Sequence, residues 1–76
     1  MAVSIYTTPT CGYCVKAKDW FRQHRVPFTE YNVATDRRRA EEMIHRSGQM
    51  GVPVIDVNGK IIVGFNQTEI ERALRK

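Results

Sequence analysis

The sequence predicts an α/β fold in which a mixed four-stranded sheet carries three helices, in the order β-α-β-α-β-β-α. Strand-like and helix-like patterns alternate along the first part of the chain. An Asn58-Gly59 pair between two short apolar runs is a strong β-hairpin signal, and a capping signature at Asn66 opens a last helix. With 76 residues, we expect one domain that spans residues 1–76.

The first strand and the first helix follow directly from the N-terminal pattern. Residues 2–6 alternate and are rich in β-forming side chains, and Pro9 keeps the following residues 7–10 in a loop. From Gly12 to about Arg25, apolar side chains recur at helical spacing; they are Cys14, Ala17 and Phe21. We expect Pro27 to end this helix.

A second strand and a second helix come next. Residues 28–33 predict the strand, and residues 36–47 predict a helix with Gly48 as its C-terminal cap. One face of that helix is expected to be buried, and it comprises Ala40, Met43, Ile44 and Ser47.

The last third of the chain predicts a hairpin and a third helix. Residues 54–57 and 61–63 are short strands, and the turn between them makes them antiparallel. Asn66 is expected to cap the third helix with Glu69 as its capping-box partner. Phe65 and Ile70 are placed to form a hydrophobic staple.

Composition narrows the functional class. The start of the chain lacks the charged, apolar and small-residue segments of a signal peptide, and no apolar run approaches the roughly 18 residues of a membrane span. We therefore expect a cytoplasmic protein with no membrane partner. Disulfides in that compartment are usually transient and catalytic rather than structural.

The charge of the chain favours anionic partners. Twelve Lys and Arg against eight Asp and Glu give a net charge of +4. The basic residues are scattered except for the arginine run at 37–39, which no aromatic recognition motif accompanies. We interpret that run as a solvated helix face and expect no nucleic-acid partner.

The two cysteines of the chain, Cys11 and Cys14, fall at the junction of the first strand and the first helix. A bridge between them closes almost no loop, so it would do little for stability. If Cys11 caps the helix, its sulfur faces unpaired N–H groups and the positive end of the helix dipole, which favour the attacking thiolate. Cys14 lies one turn away and can displace a partner from that sulfur. The spacing therefore indicates a redox dithiol, to which Lys16 and Lys18 add modest positive charge as flexible surface residues.

A zinc site is the main alternative interpretation of the cysteine pair. Structural zinc needs about four nitrogen or sulfur ligands. The sequence adds only His24 and His45, which fall in separate predicted helices at no recognised spacing. We therefore expect no metal site and no permanently bound cofactor.

Nearly the whole chain resembles the glutaredoxin family. The matching motifs are Thr-Cys-Gly-Tyr-Cys at residues 10–14, Gly-Val-Pro at 51–53 and Gly-Phe-Asn at 64–66. The Glu-Glu-Met-Ile run at residues 41–44, with Ser-Gly at 47–48, is also similar to bacterial glutaredoxins. The resemblance implies a thioredoxin-like fold and a dithiol oxidoreductase that uses glutathione as its co-substrate.

The resemblance also implies roles for individual residues. Cys11 would be the nucleophile and Cys14 the resolving thiol. Pro53 would follow a cis peptide bond opposite the active-site sulfur, and the Val52 backbone would pair with the cysteine of bound glutathione as a short added strand. Tyr13 would line the groove. The other substrate-binding residues implied are Gly51, Gly64, Phe65 and Asn66, although Asn66 is equally well explained as a helix cap alone.

The chain departs from the family at positions that grip the ends of glutathione. Thr8 stands where many glutaredoxins carry a lysine, and Gly51 stands where they usually have threonine. Their Gly-Gly-x-Asp-Asp segment is reduced to Val-Gly-Phe-Asn-Gln at residues 63–67. The Gly-Phe pairing is similar to that of glutaredoxin-like electron donors of ribonucleotide reductase, some of which are recharged by thioredoxin reductase.

Three functional hypotheses are therefore open. The first is a monomeric enzyme that reduces protein disulfides and glutathione mixed disulfides with electrons from glutathione. The second is a redoxin recharged by thioredoxin reductase that donates electrons to ribonucleotide reductase. The third is an iron–sulfur carrier, which Gly12 permits. Two cysteines cannot supply four ligands, so this carrier would need a dimer and glutathione.

Overall fold

The structure, a computed structural model, describes residues 2–75 and confirms the predicted element order. The strands are β1 (Val3–Thr7), β2 (Thr29–Asn32), β3 (Val54–Val57) and β4 (Lys60–Val63). The helices are α1 (Gly12–Gln23), α2 (Arg37–Ser47) and α3 (Gln67–Leu74). None of these helices has the length and apolar character needed to cross a bilayer.

The four strands form one mixed sheet in the spatial order β2-β1-β3-β4. Strand β1 is central: it runs parallel to β2, with Ser4 opposite Thr29, and antiparallel to β3, with Val3 opposite Val57. Strands β3 and β4 form the predicted antiparallel hairpin. The sheet therefore places β1 between β2, which follows it closely in sequence, and β3, which comes much later in the chain.

Each face of the sheet carries its own apolar layer. Because side chains alternate along a strand, Ile5 and Tyr6 point to opposite faces. Helices α1 and α3 cover the Ile5 side, where Phe21 and Ile70 are fully buried. Helix α2 covers the Tyr6 side, where the buried residues are Tyr6, Met43 and Val54. The first layer is the larger, so α1 is held on the main core.

Helix α1 ends earlier than predicted. The expected stop at Pro27 is wrong, because the helix ends at Gln23 and Arg25 takes a left-handed φ of 56°. The Arg25 N–H donates to the Arg22 carbonyl at 3.1 Å, and the Val26 N–H donates to the Phe21 carbonyl at 2.8 Å. These two bonds form a Schellman-type end, which satisfies the last free carbonyls without the proline.

The buried face of α2 is narrower than predicted. Met43 is buried, but Ile44, which was expected beside it, is 37% exposed. The other two predicted members of this face, Ala40 and Ser47, are half-buried. Ile44 lies at the margin because a helix turns by about 100° per residue, so adjacent residues cannot both face the sheet.

The Asn66 side-chain cap and the hairpin turn form as predicted, but among the described residues Glu69 does not make the predicted capping-box contact. Asn66 Oδ1 accepts a hydrogen bond from the Glu69 N–H at 3.2 Å, while the Glu69 carboxylate lies 3.7 Å from the Lys60 ammonium instead of returning to the cap. Asn58 and Gly59 have φ values of 52° and 94°, the positive values that a type I′ turn requires. Gly48, with φ 77°, closes α2.

Candidate active site

Cys11 lies at the N-cap of α1, as the sequence predicts. Its backbone is extended, with φ −93° and ψ 111°, and its sulfur accepts a hydrogen bond from the Cys14 N–H at 3.2 Å. The Cys11 N–H donates to the Thr8 carbonyl at 3.3 Å, which fixes the loop that leads into the helix. Cys11 is thus half-exposed, and its sulfur is directed at a backbone donor of the first turn.

Cys14 has opposite surroundings. Both cysteines are free thiols, but Cys14 is only 1% exposed. Burial, followed by its hydrogen bond with Cys11, raises the pKa of the Cys14 thiol to about 12. The Thr8 backbone N–H and the positive charge of Lys18 oppose this rise only in part. Cys14 therefore stays protonated at neutral pH, and Cys11 is the thiol presented to solvent.

The loop before β3 brings a second set of predicted residues to Cys11. The Val52–Pro53 peptide bond is cis, as the resemblance implies. The Cys11 thiol donates to the Val52 carbonyl across 3.8 Å. The buried Pro53 accepts a hydrogen bond through its carbonyl from the Gly64 N–H at 2.8 Å, so the start of the α3 loop joins the same assembly.

The remaining predicted residues lie farther out. Tyr13 is 64% exposed, and the Lys16 ammonium lies 5.1 Å from its ring centroid. Phe65 packs on the core layer that contains Ile70, and Asn66 Oδ1 is engaged by the α3 cap. Phe65 therefore contributes to core packing and Asn66 to the helix cap, as the sequence predicts. A shallow cavity of about 300 Å³ lies beside Phe65, between α1 and the start of α3.

An ion pair behind the cysteines was missed from the sequence. Lys18 was expected to be a flexible surface residue, which is wrong: its side chain is 20% exposed and its ammonium lies 2.9 Å from Glu30. The same Glu30 oxygen accepts a hydrogen bond from the buried Thr7 hydroxyl at 2.6 Å, and these bonds lower the pKa of Glu30. No local sequence pattern indicates this arrangement, because it depends on the pairing of β2 with β1.

The histidines form no cluster with the cysteines. His24 stacks on Trp20, with ring centroids 3.9 Å apart, and its Nδ1 lies 2.8 Å from the Trp20 carbonyl oxygen. Within residues 2–75, no group of three or more His, Cys, Asp or Glu side chains is placed to hold a metal ion.

Known proteins are similar to this chain in sequence and in architecture. Residues 3–62 match the family model for glutaredoxin. An uncharacterized glutaredoxin-like 8.6 kDa protein in the rubredoxin operon of Clostridium pasteurianum is 46% identical over 74 residues, which are 97% of this chain and 99% of that protein. Glutaredoxin 3 of Escherichia coli strain K12 is 40% identical over 62 residues, which are 82% of this chain and 75% of that protein.

A solved structure extends the likeness to three dimensions. The glutaredoxin-like protein NrdH-redoxin from Escherichia coli, described by its thioredoxin-like activity profile, superposes with a TM-score of 0.85 at 26% identity. The match covers 95% of this chain and 93% of that one.

Proposed function

This chain belongs to the glutaredoxin family and has its thioredoxin-like fold, and on that premise we propose that it is a cytoplasmic thiol–disulfide oxidoreductase. Its substrates are protein disulfides and glutathione mixed disulfides, and its electrons come from glutathione. The contrast between Cys11 and Cys14 carries the proposal. One thiol is presented at a helix start beside the Val52 carbonyl, and the other is buried behind it.

The two thiols divide the reaction. The Cys11 thiolate attacks the glutathione sulfur of a mixed disulfide, the protein thiolate leaves, and Cys11 becomes bonded to glutathione. A second glutathione thiolate attacks the bound glutathione sulfur, which releases oxidised glutathione and restores Cys11. With a protein disulfide, Cys11 attacks one substrate sulfur, the substrate disulfide breaks, and the other substrate sulfur leaves as a thiolate that takes up a proton. Cys14 then loses its proton and attacks the Cys11 sulfur, which breaks the bond to the substrate and releases the second substrate thiol. Two glutathione molecules reduce the resulting Cys11–Cys14 bond.

The loops around Cys11 suit a ligand that has a peptide backbone. The proposed ligand pairs with the Val52 backbone as a short added strand, and the exposed Tyr13 ring lines one side. The start of α3, after Gly64 and Phe65, is the positive end of a helix dipole, which suits a carboxylate of the ligand. The Cys11–Val52 contact supports this arrangement, because it places the reacting sulfur beside the proposed pairing edge.

Separate serine substitutions test the division of roles. We expect Cys11→Ser to lose all disulfide reduction. Cys14→Ser should keep the reduction of glutathione mixed disulfides, because that reaction needs one thiol. The measurement is the rate with a glutathionylated peptide and with a protein disulfide, each with glutathione and glutathione reductase. An active Cys11→Ser protein together with an inactive Cys14→Ser protein would mean that the roles are reversed.

A second candidate keeps the chemistry and changes the partners: thioredoxin reductase as the electron source and ribonucleotide reductase as the acceptor. Thr8 and Gly51 favour it, because each replaces a group that grips glutathione in the family. The likeness to NrdH-redoxin, with its thioredoxin-like activity profile, favours it too. NADPH oxidation measured with the protein and each recycling system separates the two candidates. If the protein turns over with thioredoxin reductase but not with glutathione and glutathione reductase, the second candidate function replaces the first.

A further inference from the structure

The loop between α2 and β3 contains a side chain that imitates a neighbouring strand. The Gly51 N–H donates to Gln49 Oε1 at 2.6 Å, and Gln49 Nε2 donates to the Gly51 carbonyl at 3.0 Å. One primary amide thus pairs both backbone groups of Gly51. The same pair of bonds is what a residue in an antiparallel strand would supply.

Gln49 is itself anchored to the end of α2. The Ser47 hydroxyl lies 2.7 Å from the Met43 carbonyl and 3.0 Å from the Gln49 carbonyl. The Gln49 N–H also points at the Ser47 hydroxyl, at 3.4 Å. A continuous set of contacts therefore runs from the last turn of the helix, through the Gln49 side chain, to Gly51.

These contacts leave the next residue facing the reacting sulfur. The carbonyl and N–H of Gly51 lie on the Gln49 side of the chain, whereas the Val52 carbonyl lies on the Cys11 side. Val52 precedes Pro53, and that position favours extended backbone. Since the Gly51 groups are already paired within the loop, the backbone groups of Val52 form the edge that remains for a ligand.

Glycine at position 51 is matched to this arrangement. A Cβ atom added there would lie 2.6 Å from Gln49 Oε1, closer than real contacts of that kind. A threonine, usual at this position in glutaredoxins, would displace the amide. Gln49 and Gly51 are therefore one unit, in which the missing side chain makes room for the amide of the other.

We propose that Gln49 is a positioning residue for substrate recognition, whose side-chain amide holds Gly51 so that Val52 presents a preformed pairing edge to peptide-containing disulfides. The inference rests on the proposed function, in which the ligand backbone pairs with Val52. A disulfide without a peptide backbone cannot use that edge and gains nothing from the arrangement. Gln49 thus contributes to the choice of substrate and leaves the thiol chemistry of Cys11 unchanged.

The test compares two disulfides with the reduced full-length protein in single turnover. Oxidised glutathione carries peptide bonds, and bis(2-hydroxyethyl) disulfide carries none. For Gln49→Ala we expect the half-saturating concentration of oxidised glutathione to rise about three- to tenfold, the value of one ordinary hydrogen bond. The limiting rate with oxidised glutathione and the rate with bis(2-hydroxyethyl) disulfide should not change.

Two further variants test the coupling between Gln49 and Gly51. Gly51→Ala should raise the half-saturating concentration as Gln49→Ala does, because its methyl group displaces the amide. The double variant should be no worse than either single variant, since both remove the same interaction. Gln23→Ala, an exposed glutamine-to-alanine change at the end of α1, is the matched control and should behave as the unaltered chain.

The outcomes separate the inference from the function on which it rests. Equal losses with both disulfides, or additive losses in the double variant, would overturn the role of Gln49. An unaltered chain that reacts no better with oxidised glutathione than with bis(2-hydroxyethyl) disulfide would instead contradict the proposed function. A Gln49→Ala protein that keeps full affinity for oxidised glutathione would show that Val52 is positioned without the amide.

Discussion

Cys11 and Cys14 are one helical turn apart, yet their surroundings make them chemically different. The Cys11 sulfur accepts an N–H at the helix start and is half-exposed. The Cys14 sulfur is buried, and burial together with the adjacent Cys11 raises its pKa to about 12. The difference between the two thiols therefore comes from position along the helix end rather than from residue type.

This difference predicts selective alkylation. Between pH 7 and 9, iodoacetamide should modify Cys11 in the folded reduced protein and leave Cys14 unmodified, because alkylation needs the thiolate. Peptide mass spectrometry after a short pulse measures both sites, and a urea-unfolded sample is the control in which both react. Equal labelling of the two cysteines in the folded protein would contradict the assignment of the buried thiol.

The raised pKa of the Cys14 thiol makes the stability of the reduced protein depend on pH in the alkaline range. The folded protein holds the Cys14 proton more tightly than the unfolded chain does, whose cysteines titrate near about 8.5. The resulting stabilisation is fully present below that value and is lost as pH rises toward 12. We expect the urea midpoint of the reduced protein to fall above about pH 9, and that of Cys14→Ser to fall less.

At the scale of the elements, the end of α1 offers a direct stability test. Arg25 has a left-handed φ of 56°, a conformation that costs a residue with a Cβ more than it costs glycine. We expect Arg25→Gly to stabilise the protein by about 0.5–1 kcal/mol, measured as a higher urea midpoint. Gly48→Ala, at φ 77°, is the opposite control and should destabilise by a similar amount. A destabilised Arg25→Gly protein would mean that the arginine side chain contributes contacts of greater value.

The sequence predicts the elements well where a signal is local. The Asn58-Gly59 turn and the Asn66 cap each depend on a few adjacent residues, and both form as expected. The end of α1 was misplaced because nothing in an arginine indicates that it will take a left-handed conformation. For Ile44, the apolar pattern could not show how much of the helix surface the sheet would cover.

In the candidate site, too, local features could be predicted from the sequence, whereas contacts that depend on the fold could not. The spacing of the two cysteines indicates a redox dithiol. The cis bond before Pro53 was expected only through the family resemblance. The Lys18–Glu30 ion pair depends on how β2 lies beside β1, a pairing that no short segment encodes. Gln49 lies only two residues from Gly51, but its amide binds backbone groups of Gly51. Residue identities do not indicate what a backbone group will bind, so this contact could not be predicted.

At the scale of the whole molecule, a polar bridge ties α2 to the sheet. The buried Tyr6 hydroxyl donates to Glu42 at 2.5 Å and accepts from Arg46 at 3.1 Å. Arg46 also lies 2.7 Å from Asp56 on β3. These bonds add polar contacts between α2 and the sheet beside the smaller of the two apolar layers.

The bridge predicts a loss of stability in acid. The Tyr6 hydrogen bond, and then Arg39, hold the pKa of Glu42 below its ordinary value. A lowered folded-state pKa means that the stabilisation is present above about pH 4.3 and is lost as pH falls through the folded value. We expect Glu42→Gln to flatten the decline of the urea midpoint between pH 5 and 3. Glu71→Gln, an exposed change on α3, is the control, and an equal flattening there would exclude a specific role for Glu42.

The central position of β1 has a consequence for the order of events in biosynthesis. Strand β1, which leads to the cysteines, is synthesised well before its antiparallel partner β3, so Val3 can pair with Val57 only after β3 has been made. Helix α1 likewise finds Ile55 and Ile70 only in the last third of the chain. Non-local pairings of this kind must first overcome the entropy of closing a long loop, so they form later than local contacts. A nascent chain that stops before β3 can form the local Cys11 cap, but it lacks the β3 and α3 residues of the core on which α1 packs. The burial that separates Cys14 from Cys11 is therefore complete only after β3 and α3 have been made.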